Sequence, residues 1–262
     1  DINAQNYQGQ TALTIAANRN SLSIVDLLIN NPKFSAEDSR LNYAFYISTG
    51  EVSKHLIQAK EIDVNYRNVQ RNNNNIPGSF AAFTNTNIST NSDVYDTPLM
   101  HAADTNNINI IDLIVNHPSF DKERSRIDSA ILISIQRNSP QMFNKLVDLD
   151  GRDINEIKFK KAGVYASAIF YRSYKIISEL LNNPKITITK DDILMTFTNI
   201  LGSPESVNSS PDLINKLFDY CKEHEGLIDF TKPLLDGKSF FTSIRPKFDN
   251  IENIVNFLVK MG

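Results

Sequence analysis

The side chains able to do acid–base, nucleophilic or metal chemistry are few and scattered. The four histidines, His55, His101, His117 and His224, lie far apart, and no pair has the i, i+4 spacing that puts two imidazoles on one helix face. Acids pair at Asp191-Asp192 and at Asp148/Asp150. Two carboxylates work as acid and base only where a pocket raises one pKa. Asp191 and Asp192 follow Thr189 and read instead as acids at a helix N-terminus, where the backbone dipole favours negative charge. The single cysteine, Cys221, can form neither an internal disulfide nor a multi-cysteine zinc site, and reads as a small buried hydrophobe. Gly9, Gly50 and Gly78 stand alone, and no Gly-x-Gly-x-x-Gly or P-loop is present to cradle a phosphate. His101 reads as a packing histidine on a helix, and His117 as a stand-in for Asn31 and Asn183 in a turn. Ser203, Ser206, Ser209 and Ser210, with Pro204 and Pro211, mark a linker. The expectation is a chain with no catalytic residues, no cofactor site and no metal ligands, and hence not an enzyme.

Composition bounds the class. Of 262 residues, 41% are hydrophobic, enough for a sizeable core. The net charge of −3 argues against a nucleic-acid binder, which needs a strongly basic face. Lys158, Lys160 and Lys161 make only a short basic run. No stretch approaches the roughly 18 apolar residues that span a bilayer, so no membrane association is expected. Low cysteine use fits a reducing compartment, and the expected location is cytoplasmic. The sequons at Asn87 and Asn208 carry little weight in such a chain. The start at Asp1 has neither a basic nor an apolar leader, and the missing initiator methionine predicts a fragment of a longer protein.

The elements that position these residues are set by internal repeats. Asn30-Asn31-Pro32-Lys33-Phe34 recurs as Asn116-His117-Pro118-Ser119-Phe120 and as Asn182-Asn183-Pro184-Lys185-Ile186. Each copy follows an apolar run and reads as a helix stop. A turn phrase, Asp1-Ile2-Asn3, recurs as Asp63-Val64-Asn65 and more faintly as Asp153-Ile154-Asn155. Residues 32–48 resemble residues 118–134 at an offset of 86, about two repeats plus an insertion. The Asn-rich stretch 68–92 is that insertion, and its composition predicts a flexible loop. Between the phrases the apolar period is helical: Leu22, Val25, Leu28 and Ile29 form one face, as do Ile108, Ile111, Ile114 and Val115, and again Ile251, Ile254, Val255 and Leu258. No sheet is expected beyond short β-turn fingers.

Thr11-Ala12-Leu13-Thr14-Ile15-Ala16-Ala17 and Thr97-Pro98-Leu99-Met100-His101-Ala102-Ala103 resemble the Thr-Pro-Leu-His-x-Ala phrase of ankyrin repeats. Gly9 matches the turn glycine of that family. The chain departs from the pattern at the family's histidine, which is Thr14 in one copy and Met100 in the other. The later repeats are degenerate, and the second is one residue short near Gly50. The resemblance implies an all-α fold, an ankyrin-type helical repeat solenoid of about seven helix-turn-helix units over residues 1–262. The units fall at about 1–34, 35–62, 93–121, 122–152, 153–186, 187–229 and 230–262, with the insertion at 68–92. A HEAT-like or tetratricopeptide-like solenoid is the alternative.

What the resemblance implies for function is a protein–protein interaction scaffold whose concave face binds an unknown protein partner. Positions carried over from the matching repeats are Tyr7, Gln8 and Gln10 on the first finger, Asn18 and Arg19 at the end of its helix, then Asp104 and Thr105, Gln136 and Arg137, and Phe170 and Tyr171. Phe170, Tyr171 and Tyr7 lead, because aromatics are enriched at binding hot spots. The alternative is a targeting or substrate-recognition module of a larger enzyme or secreted effector. The chain is expected to be a monomer, though terminal repeats that stack end to end would make a self-associating protein.

Overall fold

The computed structural model describes residues 1–70, 94–201 and 211–224, with residues 227, 228, 232 and 237 beyond them. The chain divides into two compact units, Asp1–Ser134 and Ile135–Gly262. The described residues are mostly helical, with two short hairpins, and form an all-α repeat of short helix pairs.

The first unit holds α1 (Ala12–Asn18), α2 (Leu22–Ile29), α3 (Leu41–Ile47), α4 (Gly50–Leu56), α5 (Pro98–Asp104), α6 (Ile108–Val115) and most of α7 (Ile127–Gln136). Each helix is about two turns long, too short to be stable alone, so packing must hold it. In this unit α1 packs on α2 and α3, α3 on α4 and α5, and α4 on α2 and α6. The alanine pairs of the repeat phrase, Ala16-Ala17 and Ala102-Ala103, are buried, and so are Ala44 and Ala130. Their small side chains let the first helices of neighbouring repeats lie close. The second unit holds α8 (Pro140–Asp150), α9 (Val164–Phe170), α10 (Tyr174–Leu181), α11 (Lys190–Leu201) and α12 (Pro211–Glu223). There α9 packs on α10 and α11, and α10 on α8 and α12.

Local chemistry starts the helices. Thr11 and Thr14 form a reciprocal cap: Thr14 N–H donates to Thr11 Oγ1 at 3.1 Å, and Thr11 N–H donates to Thr14 Oγ1 at 2.9 Å. Thr14 therefore turns the position of the family's histidine into part of the cap. In α5, Met100 N–H donates to Thr97 Oγ1 at 3.2 Å and Pro98 opens the helix. Thr189 and Asp192 make the same reciprocal pair at the start of α11, with Asp192 N–H donating to Thr189 Oγ1 and Thr189 N–H to Asp192 Oδ2. Both Thr11 and Thr97 also donate across to the next repeat, to the Ser39 and Ser125 carbonyls, each at 2.8 Å.

The two recurring phrases are halves of one clasp. Asn3 Nδ2 donates to the Lys33 carbonyl at 2.7 Å, and Asn3 Oδ1 accepts from Ser35 N–H and Ser39 Oγ. Asn65 repeats the set on the Ser119 carbonyl, Asp121 N–H and Ser125 Oγ. Asn155 makes the first two, to the Lys185 carbonyl and from Thr187 N–H. The Asn3 and Asn155 clasps each close on a carbonyl 30 residues away, the Asn65 clasp on one 54 away, so the latter bridges the inserted stretch. Residues 68–70 of that stretch form β1 (Asn68–Gln70), paired antiparallel with β2 (Val94–Asp96) as a finger; residues 71–93 lie outside the described residues. A second finger pairs β3 (Lys158–Phe159) with β4 (Ala162–Gly163). Short fingers are the only strands among the described residues.

Some expectations on the helix faces need correction. Of Leu22, Val25, Leu28 and Ile29, only Val25 is buried; Leu28 and Ile29 are half-buried and Leu22 is exposed. Ile24 is 52% and Leu27 72% exposed. At the offset of 86, Ile110 is buried and Leu113 half-buried. In α6 the buried face is Ile110, Ile111 and Ile114, with Ile108 and Val115 half-buried. The shortening near Gly50 is a connection of two residues, Ser48-Thr49, where α1–α2, α5–α6, α7–α8 and α9–α10 have three. Gly50 takes up the turn with φ of 58°. The expected repeat at 230–262, with Ile251 to Leu258, and the Ser203–Ser210 linker lie outside the described residues, apart from the isolated residues 232 and 237.

Candidate protein-binding surface

The first finger is built around Asn6. Its Oδ1 accepts from the N–H groups of Gln8 and Gln10, and Gly9 N–H donates to the Asn6 carbonyl. Gly9 sits at φ of 74°, in the left-handed region a turn glycine fills. Its carbonyl accepts from Arg40 Nη1 at 2.7 Å, which ties the finger to the next repeat. Tyr7 stands at the tip, 96% exposed. Gln8 and Gln10 are exposed as well, although Gln10 Oε1 accepts from Asn6 Nδ2 and so holds the turn.

The other positions lie where a repeat's first helix meets its second. Asn18 and Arg19 are exposed at the end of α1. Thr105 is exposed at the end of α5, with Oγ1 donating to the His101 carbonyl, and Asp104 is half-buried. In the second unit Arg137 is exposed and Gln136 half-buried. Phe170 is 78% exposed, its ring edge-on to half-buried Tyr171 with centroids 4.9 Å apart. The turns carrying Arg137 and Tyr171 are adjacent: Ser173 Oγ donates to the Ile135 carbonyl, and Asn138 Oδ1 accepts from Lys175 N–H at 3.0 Å. The structure thus gathers Gln136, Arg137, Phe170 and Tyr171. Tyr7 to Thr105 belong to the first unit.

Two features escaped the sequence reading. The first is an aromatic row. The Arg40 guanidinium lies 4.5 Å above the Tyr43 ring, Tyr43 stacks on Tyr46 at 5.9 Å, and Tyr46 meets His101 at 4.8 Å. Burial holds His101 below the ordinary histidine pKa, while the Asp104 carboxylate pulls the other way. Burial likewise raises the Tyr66 phenol, against the nearby Arg40. The row joins α3 to α5, so no spacing along one helix reveals it. The second is Arg172, exposed at φ of 55° in the turn slot that Asn20, Asn106 and Asn138 fill elsewhere. Alignment of the turns would have found it.

The residues considered for chemistry have structural settings. His117 Nδ1 bonds Ser119 Oγ at 2.8 Å and faces Ser119 N–H at 3.3 Å, as Asn31 and Asn183 accept from the N–H groups two residues on. His55 Nε2 lies 3.1 Å from Asp26. Asp150 is buried and paired with Arg152 at 2.7 Å. Cys221 is buried, and burial pushes its thiol up to about 12. Among the described residues no three of His, Cys, Asp and Glu converge as metal ligands, and no helix is long and apolar enough to cross a membrane.

Short capped helix pairs, clasped fingers and solvent-facing turns define a helical repeat protein. Residues 8–39, which span the first finger, α1, α2 and the Pro32 turn, match the family model of the ankyrin repeat. That match makes residues 8–39 an ankyrin repeat, set among further pairs of short helices. No curated protein matches the sequence. Ankyrin repeats are in general protein–protein interaction modules.

Proposed function

We propose that the chain is a non-enzymatic scaffold that binds a partner protein through the fingers and first-helix ends of its repeats, the concave face of such a stack. The observation that carries this reading is the exposure of large aromatic side chains on these positions, Tyr7 at 96% and Phe170 at 78%. Folding gains little from an aromatic left in water, whereas a partner that covers it gains its whole area. Both sit on backbone fixed by hydrogen bonds, which lowers the entropy cost of binding. The monomeric state and cytoplasmic location belong to the same reading.

The test is affinity capture with the full chain and two alanine sets, Tyr7/Gln8/Arg19 and Arg137/Phe170/Tyr171. A captured partner should be weakened at least about tenfold by one or both sets while thermal melting stays the same. Full binding by both sets would remove the proposed face.

A further inference from the structure

The first repeat leaves in solvent a face that the same unit, 86 residues on, keeps covered. α1 and α2 correspond position by position to α5 and α6. Ala12 and Ile24 are exposed, and their counterparts Pro98 and Ile110 are buried. Leu27 is exposed and Leu113 half-buried; Leu28 is half-buried and Ile114 buried. These positions are apolar in both copies, so the difference lies in what packs on them. α5 and α6 pack on α3 and α4, the pair before them, whereas α1 and α2 have only the pair after them among the described residues. On α2 that following pair takes the Asp26 side: His55 Nε2 of α4 lies 3.1 Å from Asp26 Oδ1. Ile24, two residues before Asp26, lies about 160° round the helix from it, on the far side. Ile24 and Leu27 of α2, with Ala12 of α1, are thus an uncharged apolar set on two helices that pack together. In a repeat stack the end units need a polar outer face and the interior units an apolar one. The first repeat has the apolar kind.

We propose that this face docks one more helix pair of the α3–α4 kind, joined to Asp1 as Ile62 is joined to Asp63. It is a second surface, apart from the fingers and first-helix ends. The join is set by the turn phrase: Asp1-Ile2-Asn3 recurs as Asp63-Val64-Asn65, and Asn3 and Asn65 make the same three clasp bonds. In the docked pair the counterpart of Tyr46 lies over Ile15, as Tyr46 meets His101 with ring centroids 4.8 Å apart. The counterpart of α4 covers Ile24. A single amphipathic helix on α2 would leave Ala12 in water. A second copy of the chain brings the same apolar set, whose counterpart in α5 and α6 packs on a pair of different sequence and not on itself. A charged ligand finds no partner among Ala12, Ile24 and Leu27.

The experiment extends the full chain with a copy of residues 35–62 placed directly before Asp1. Hydrogen–deuterium exchange of α2 and the melting temperature are followed with and without the extension. Exchange in residues 22–29 should slow at least about tenfold and melting should rise, because the added pair removes apolar surface from water. Ile24→Lys combined with Leu27→Lys should abolish both gains in the extended chain, while shifting the melting of the unextended chain by no more than about 2 °C. An extension that leaves α2 exchange unchanged, or gains that survive the two lysines, would overturn the proposal. So would an unextended chain that is dimeric in light scattering and turns monomeric with Leu27→Lys, since a second copy then holds the face. None of these results bears on the capture experiment at the fingers and first-helix ends, whose alanine sets leave α2 intact.

Discussion

Asn65 shows what single residues do in this protein. It is buried, and one amide joins a turn to three groups of a loop that the insertion has moved 24 residues further along the chain. Asn65→Ala would leave the Asp121 N–H and the Ser125 hydroxyl without it, and unsatisfied buried groups cost more than a hydrogen bond gains. The expected loss is about 2–3 kcal/mol in urea unfolding. Asn155→Ala should lose less, since its clasp lacks the serine bond. His101 gives a pH dependence. Its folded pKa is lowered, so the unfolded chain takes up the proton first. Stability from neutral His101 is full above pH 6.5 and is lost as pH falls below it. Melting temperatures between pH 7 and pH 5 should drop less steeply in His101→Phe. Cys221, with its thiol pushed up to about 12, should react with thiol reagents slowly in the native protein and quickly in urea.

At the scale of elements, the sequence carried the caps and stops in full view. Thr11, Thr97 and Thr189 cap helices, the Asn-Pro phrases end them, and His117 replaces an asparagine in the turn bond its position requires. Local bonds of this kind leave local patterns. The clasps were not legible as clasps: their two halves are separate phrases, and no periodicity says that a side chain of one bonds the backbone of the other. Helix faces were only half legible. The apolar period of α2 and α6 is similar, yet Ile110 of α6 is buried while Ile24 and Leu27 of α2 stay exposed. Leu27→Lys should therefore change stability by no more than about 0.5 kcal/mol, whereas Ile110→Lys should cost several, because it buries an unpaired charge. Equal losses in chemical denaturation would contradict that assignment.

For the whole molecule, each of the two compact units carries candidate positions of its own. Transferring positions from the matching repeats placed most of that surface in solvent, because turn tips and helix ends are exposed in any such stack. It missed Arg172, which lies one residue past the transferred pair, and the row from Arg40 to His101, which needs two helices to exist. Which face meets the partner is measured most directly by hydrogen–deuterium exchange on the full chain with and without a captured partner. The account predicts slowed exchange in the fingers and first-helix ends, around residues 6–10, 18–20, 104–106, 136–138 and 170–173. Protection confined to the second helices α2, α4, α6 and α10, with those turns unchanged, would contradict it.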